Sequence, residues 1–391
     1  MNQEILNKEV QNFINSNLKS DVTKLILKGS PFPYVSIQEI AAQILAKNSC
    51  EKKLPIWFNS EKIYYPNKLN IEQTSSEITA KYKSDLVSGN TLIDITGGFG
   101  VDAYFFSQKF ESVIHCEINK ELSAIAAHNF NYSKAKNIKI HLGDGIEFLA
   151  EHSEKFDWIY ADPSRRNDAK GKVFLLEDCL PNIPENLNLL FEKTDNILLK
   201  VSPILDITSA LNELQFVKEI HVVAVENEVK ELLFLLEKNY TKNIQVKTTN
   251  IAKNSTQKFD FILDESSTAT FSEPKKYVYE PNAAILKSGA FLQVSEKLNI
   301  AKLHQSSHLY TSSHLIDFPG RRFEIKHCIS YGKKQLLQLI PSKKANITTR
   351  NFPETVAQIR KKTGLKDGGN EYLFFTTDIN NKHLVLICEK V

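Results

Sequence analysis

No stretch of the 391-residue chain approaches the roughly 18 consecutive apolar residues that a membrane span requires. Its start, MNQEILNKEVQNFINSN, has polar residues where a secretion signal carries its apolar core, so the expected location is the cytoplasm. Cysteine is sparse and scattered. Cys50, Cys116, Cys179, Cys328 and Cys388 form no CxxC pair, which argues for reduced thiols and against a disulfide frame or zinc site. The histidines show no HExxH spacing, and no metal is expected. Tandem repeats and low-complexity tracts are absent too. What remains is an ordinary globular composition, 42% hydrophobic and 24% charged, with length for more than one domain.

Charge is unevenly distributed. The net charge of +3 divides into +2 over residues 1–90, −7 over 91–320 and +8 over 321–391. A basic tail suits a polyanion such as nucleic acid, or is simply a solvated lysine-rich surface. Arg321, Arg322, Lys343, Lys344, Arg360, Lys361 and Lys362 cluster in three short runs and are the expected contributors.

Residues 1–70 read as a helical segment, with IQEIAAQILAKN at helical spacing and proline turns at SPFPYVS and KLPIWF. A strand–helix alternation follows. TLIDIT, SVIHCE, NIKIHLGD, FDWIYADP and NILLKVSP read as strands separated by helical patterns. That rhythm predicts an α/β fold, a doubly wound and mostly parallel sheet spanning residues 71–267. Beyond it, residues 274–317 and 318–391 read as small α+β modules, the last with a strand KANITTR, a helix opening on a proline and a terminal hairpin.

In doubly wound sheets ligands sit beyond the carboxyl ends of the strands, and here four consecutive strands end in acids. Asp94 precedes the glycine turn Thr96-Gly97-Gly98-Phe99-Gly100. Glu117 ends the second strand, 23 residues after Asp94, where a carboxylate can accept both ribose hydroxyls. Asp144, followed by Gly145, ends the third, and Asp162-Pro163 ends the fourth. Carboxylates near buried strand ends are costly without partners. S-adenosyl-L-methionine supplies them, with an adenine amine for Asp144, a ribose diol for Glu117 and a cationic arm near Asp94. An NAD-type site and a purely structural turn are the alternatives, because Gly98-Phe99-Gly100-Val101-Asp102-Ala103 also fits the dinucleotide fingerprint.

The set EQTSSEITAKYK, DITGGFGVD, ADPSRR, LLKVSP and NEVKELL resembles the bacterial class I methyltransferase family that carries a C-terminal THUMP-like domain behind a small ferredoxin-like module. The resemblance spans residues 71–391. It implies a Rossmann-like methyltransferase sheet, S-adenosylmethionine as cofactor, and RNA, tRNA or rRNA, as partner of the basic tail.

The acceptor is expected at Asp162-Pro163-Ser164-Arg165-Arg166. Amino-methyltransferases use Asp/Asn-Pro-Pro-aromatic at this place, where a side chain and a backbone carbonyl align the amine and an aromatic stacks on the base. Ser164 and Arg165 depart from that pattern. Arg165 can stack as a guanidinium plane, and Arg165 and Arg166 can clamp phosphates or merely pair with rim acids. Lys200, at the fifth strand's end, suits a phosphate or the surface. Pyrimidine C5 chemistry needs a cysteine after the fifth strand, where the chain has Ser202-Pro203; Cys179 does not match. Thr74, Ser75 and Ser76 either cap a helix or close over the cofactor, and Glu226, Asn227 and Glu228 are rim or turn residues. The expected function is methylation of a base nitrogen in structured RNA. A small-molecule or protein methyltransferase, and an RNA-binding protein that holds the cofactor without transfer, are the alternatives.

Overall fold

The computed structural model describes residues 1–133, 135–165 and 175–391, with Arg165 known by its backbone alone. The chain divides into two compact units, one of Met1–Lys218 and Leu232–Lys242, the other of Glu219–Glu231 and Asn243–Val391.

In the first unit the alternating pattern produces β1 (Gly89–Asp94), β2 (Phe110–Glu117), β3 (Ile138–Leu142) and β4 (Trp158–Ala161). Two short strands, β5 (Ser164–Arg165) and β6 (Cys179–Leu180), pair with each other beside the sheet. Then come β7 (Asn196–Val201), β8 (Val217–Val225) and β9 (Glu228–Glu237), the last two crossing the division between units. The sheet order is β9-β7-β4-β1-β2-β3, parallel except for β9 against β7. Leu92, Ile93, Val113, Ile159, Leu198 and Leu199 are fully buried, as strands covered on both faces by helices require. NEVKELL, a sequence marker above, is the start of antiparallel β9.

The N-terminal helices belong to this same unit. The helix Ile37–Cys50 opens on a capping box of Ser36 and Glu39 and buries Ile40, Ile44 and Cys50. Its core is continuous with Phe99 in the glycine turn and with Val101 and Phe105, which follow it. Trp57 meets Tyr104 edge-on at 4.9 Å. The helical segment therefore braces the turn from behind.

In the second unit β8 pairs in parallel with β10 (Gln245–Ala252), which forms a hairpin with β11 (Ser255–Ile262). Glu226 and Asn227, both with positive φ, make the two-residue turn between β8 and β9; the Asn227 side chain accepts the Ala283 amide at 2.8 Å. They are turn residues.

Seven further strands follow: β12 (Tyr277–Pro281), β13 (Ala301–Lys302), β14 (Tyr310–Ser312), β15 (Gly320–Ser330), β16 (Asn346–Arg350), β17 (Tyr372–Thr377) and β18 (His383–Lys390). They form one sheet in the order β13-β14-β12-β15-β18-β17-β16. Glu280 on β12, 4% exposed, is clamped by Arg321 from β15 and by Arg350 from β16, the latter at 2.7 Å. The helix expected to open on a proline instead begins at Val356, with Thr355 and Gln358 closing a capping box and Pro353 outside it.

Candidate functional site

A cavity of about 590 Å³ opens at the carboxyl ends of β1, β2 and β4 in the first unit. It brings together Asp94, Thr96, Gly97, Gly98, Glu117, Asp144, Gly145, Asp162 and Ser164. Gly100, Pro163 and Lys200 do not line it. Arg166 lies outside the described residues, and so does the side chain of Arg165.

Each acid is held differently. Glu117 is fixed by two backbone amides, accepting from Gly98 N at 2.8 Å and Asn119 N at 2.7 Å. Asp144 caps the helix Gly145–Glu151: its Oδ1 accepts from Ile146 N at 2.7 Å, so half of the carboxylate is already engaged. Asp94 is 1% exposed, and burial, with Asp102 and Asp162 near, raises its carboxyl well above the usual range. Thr96 ties the strand ends together, donating to Asp94 Oδ1 at 3.3 Å and accepting from Asp162 N at 2.7 Å.

The glycines divide by purpose. A Cβ on Gly97 would sit 2.3 Å from the His115 ring, and one on Gly100 2.3 Å from Phe130. Those two are demanded by packing beneath the turn. Gly98, with φ +60, has only the Thr96 carbonyl, at 3.9 Å, near its missing Cβ, and it alone keeps an open side toward the cavity.

The Asp162-Pro163-Ser164 motif holds a feature that the sequence leaves hidden. Lys200 Nζ pairs with Asp162 Oδ2, and Lys200 is only 12% exposed. It is a partner of the motif's carboxylate rather than a surface lysine. Ser164 pairs with Leu180, and Leu180 and Pro181 line the cavity beside it. Cys179 is buried, its Sγ 3.8 Å from the Leu175 carbonyl, and does not line the cavity.

A second cluster was missed. Lys83, fully buried, reaches Asp102 Oδ1 at 3.2 Å, while Asp102 Oδ2 accepts from Ser75 Oγ at 2.7 Å and Tyr160 Oη at 2.9 Å. Burial works against the Asp102 charge. Lys83 and Lys200 overcome it and, with both hydroxyls, hold the carboxyl below its usual range. Ser76 caps its helix, whereas Ser75, lining the cavity with Thr74, anchors this cluster.

His115 lies fully buried under the turn, 3.9 Å from Asp94. Burial pushes it down to about 4. The unfolded chain then takes up a proton near 6.5 that the folded chain refuses until about 4, so stability falls with pH across that window. Between pH 7 and pH 4.5 His115 is expected to cost about 2–3 kcal/mol. Urea unfolding of His115→Phe at both pH values should show that loss removed; an unchanged loss would assign the acid sensitivity elsewhere.

Among the described residues no group of His, Cys, Asp and Glu side chains is arranged to hold a metal, and no helix is long and apolar enough to cross a membrane.

A family of ferredoxin-like domains matches residues 277–319, and a family of THUMP domain-like sequences matches residues 320–390. A protein of Porphyromonas gingivalis W83, provisionally named a methyltransferase, is 32% identical; the match covers 100% of this chain and 98% of that one, with a TM-score of 0.89. An rRNA methylase from Streptococcus thermophilus (13% identity, 41% of this chain and 94% of that one, TM-score 0.30) and TrmN from Thermus thermophilus (15%, 41% and 48%, 0.32) are far more distant. Similarity at that level carries no functional weight. No curated protein matches the chain. Full-length likeness at that identity, with both C-terminal matches in order, places the chain in the class I methyltransferase family that carries a ferredoxin-like module and a C-terminal THUMP-like domain.

Proposed function

We propose that the protein is an S-adenosylmethionine-dependent methyltransferase that modifies a base nitrogen in structured RNA, tRNA or rRNA. The observation that supports this best is the convergence of four acidic strand ends and an open glycine on one cavity. The donor set fits the cofactor. Glu117, pre-fixed by two amides, suits the ribose hydroxyls. The free oxygen of Asp144 suits the adenine amine, and buried Asp94 suits the cationic arm, whose arrival would restore its charge. When bound, the cofactor supplies an electrophilic methyl group on a sulfonium.

The chain's own residues do the rest. Asp162 Oδ1 would accept a hydrogen of the acceptor amine, with Ser164 lining the cavity beside it. Lys200, holding Oδ2, keeps Asp162 oriented. Arg165 and Arg166 would meet the nucleotide. In this reading residues 71–267 are the methyltransferase domain behind the helical residues 1–70, and residues 274–317 and 318–391 present the RNA.

Glu117→Ala strands the ribose hydroxyls and is expected to weaken S-adenosylhomocysteine binding about tenfold to more than a hundredfold, or about 1.5–3 kcal/mol. Calorimetry on the folded variant checks this, and unchanged affinity would remove Glu117 from the cofactor site. Transfer itself is tested with radiolabelled cofactor and RNA from cells lacking the protein, followed by nucleoside mass spectrometry. Label in protein or small molecules but not RNA would favour the other substrate classes; tight cofactor binding with no product would leave a binding protein.

A further inference from the structure

The tail carries 14 cations from residue 321 onward, but the fold consumes several of them. Arg321 and Arg350 serve buried Glu280, Arg322 faces Asp317, Lys326 pairs with Glu324, Arg360 with Asp367 and Lys362 with Glu354. The arginines that stand out in the sequence therefore already have acids as partners, Arg322 at the loosest distance, 3.9 Å from exposed Asp317. What is left is lysine, and three lysines are gathered at one corner.

That corner is the start of edge strand β16. Lys344 bridges Lys366 in parallel; Lys366 N donates to the Lys343 carbonyl at 2.9 Å, and Ala345 N to the Lys366 carbonyl at 3.0 Å. Arg360 reaches across to the Leu365 and Ala345 carbonyls at 3.3 and 3.2 Å and takes up Asp367, an acid of the same loop. The backbone is thus fixed from two sides and Asp367 is neutralised internally. Glu371, the other carboxylate close by, forms no ion pair with these lysines. Lys343, Lys344 and Lys366 are all exposed and form no ion pair among the described residues. Lys343 also holds φ +53, a conformation that glycine or asparagine adopts at lower cost.

We propose that Lys343, Lys344 and Lys366 form a rigid phosphate-contacting platform for RNA, and that the tail's arginines do not contact it. Three exposed lysines carried on one fixed stretch of backbone can reach backbone phosphates, whose neutralisation releases counterions. The proposal rests on the RNA reading above.

The test is binding of bulk tRNA to the full chain across a salt series. Removing the tail is unsuitable, because β12 would lose its neighbour β15 and Glu280 its arginines. Lys343→Gln/Lys344→Gln/Lys366→Gln is compared with a charge-matched control, Lys333→Gln/Lys382→Gln/Lys390→Gln, which removes three exposed lysines elsewhere. The platform variant is expected to lower the logarithmic salt slope by about two to three and to weaken binding about tenfold or more at low salt. The control should change little. Equal losses in both variants would reduce the effect to net charge and overturn the platform. A steep wild-type slope left unchanged by the platform variant would also overturn it. Wild-type binding with no salt dependence would instead sink the RNA reading itself. Equal loss of duplex DNA binding in the platform variant would overturn the assignment of RNA as the partner.

Discussion

Asp162→Ala is expected to lower methyl transfer about a hundredfold or more while S-adenosylhomocysteine affinity stays within a few-fold, because the aspartate's contribution arises when the nucleophile is aligned in the transition state. Asp162 Oδ2 is engaged by Lys200, and in the proposed mechanism Oδ1 is the oxygen that takes the acceptor. Alanine removes both. It also leaves the largely buried Lys200 without this carboxylate, so folding must be checked alongside turnover. Asp162→Asn separates the two roles, keeping a side-chain oxygen for the amine but losing the charge that faces Lys200. Its rate should fall between those of wild type and alanine. A variant that lost cofactor yet turned over normally at saturating cofactor would move Asp162 into the cofactor shell.

Lys83→Met is the expected worst lesion for the fold. The change leaves Asp102 buried with its hydroxyl partners but without the ammonium 3.2 Å away, and breaking a buried pair from one side costs about 3–5 kcal/mol. Both tryptophans, Trp57 and Trp158, lie in the first unit, so urea unfolding followed by their fluorescence reports on the unit that holds the pair. Adding Asp102→Asn to Lys83→Met removes the stranded charge and should recover a good part of the loss. If Lys83→Met alone unfolds at the wild-type midpoint, the pair is not a source of stability.

The sheet and the acids that line the cavity were legible because their signals are local. A buried strand followed within one or two residues by an acid is visible without knowing any partner, and Asp94, Glu117, Asp144 and Asp162 each show it. Lys83–Asp102 was not legible. A lysine in AKYK on an amphipathic helix looks solvated, and only tertiary packing puts it beneath Asp102. Lys200 was ambiguous for the same reason. The glycine turn reads in the sequence as one ligand loop, yet Gly97 and Gly100 answer to His115 and Phe130, which lie one strand and one helix away. In the tail, charge counting could not show that Arg321 and Arg350 pair with a buried acid, because Glu280 precedes Arg321 by 41 residues and Arg350 by 70.

The continuous seven-stranded sheet also limits how the C-terminal part of the protein can be divided. The two C-terminal family matches abut between residues 319 and 320, inside this sheet. A crossover there would hand one descendant β12 with an open edge and an uncompensated carboxylate, and the other β15 with an open edge and idle arginines. Open edges invite aggregation, and an orphaned buried charge invites unfolding. The ferredoxin-like and THUMP-like ranges can therefore be shuffled onto other enzymes only as a pair, and a graft meant to transplant the lysine corner has to begin before Tyr277.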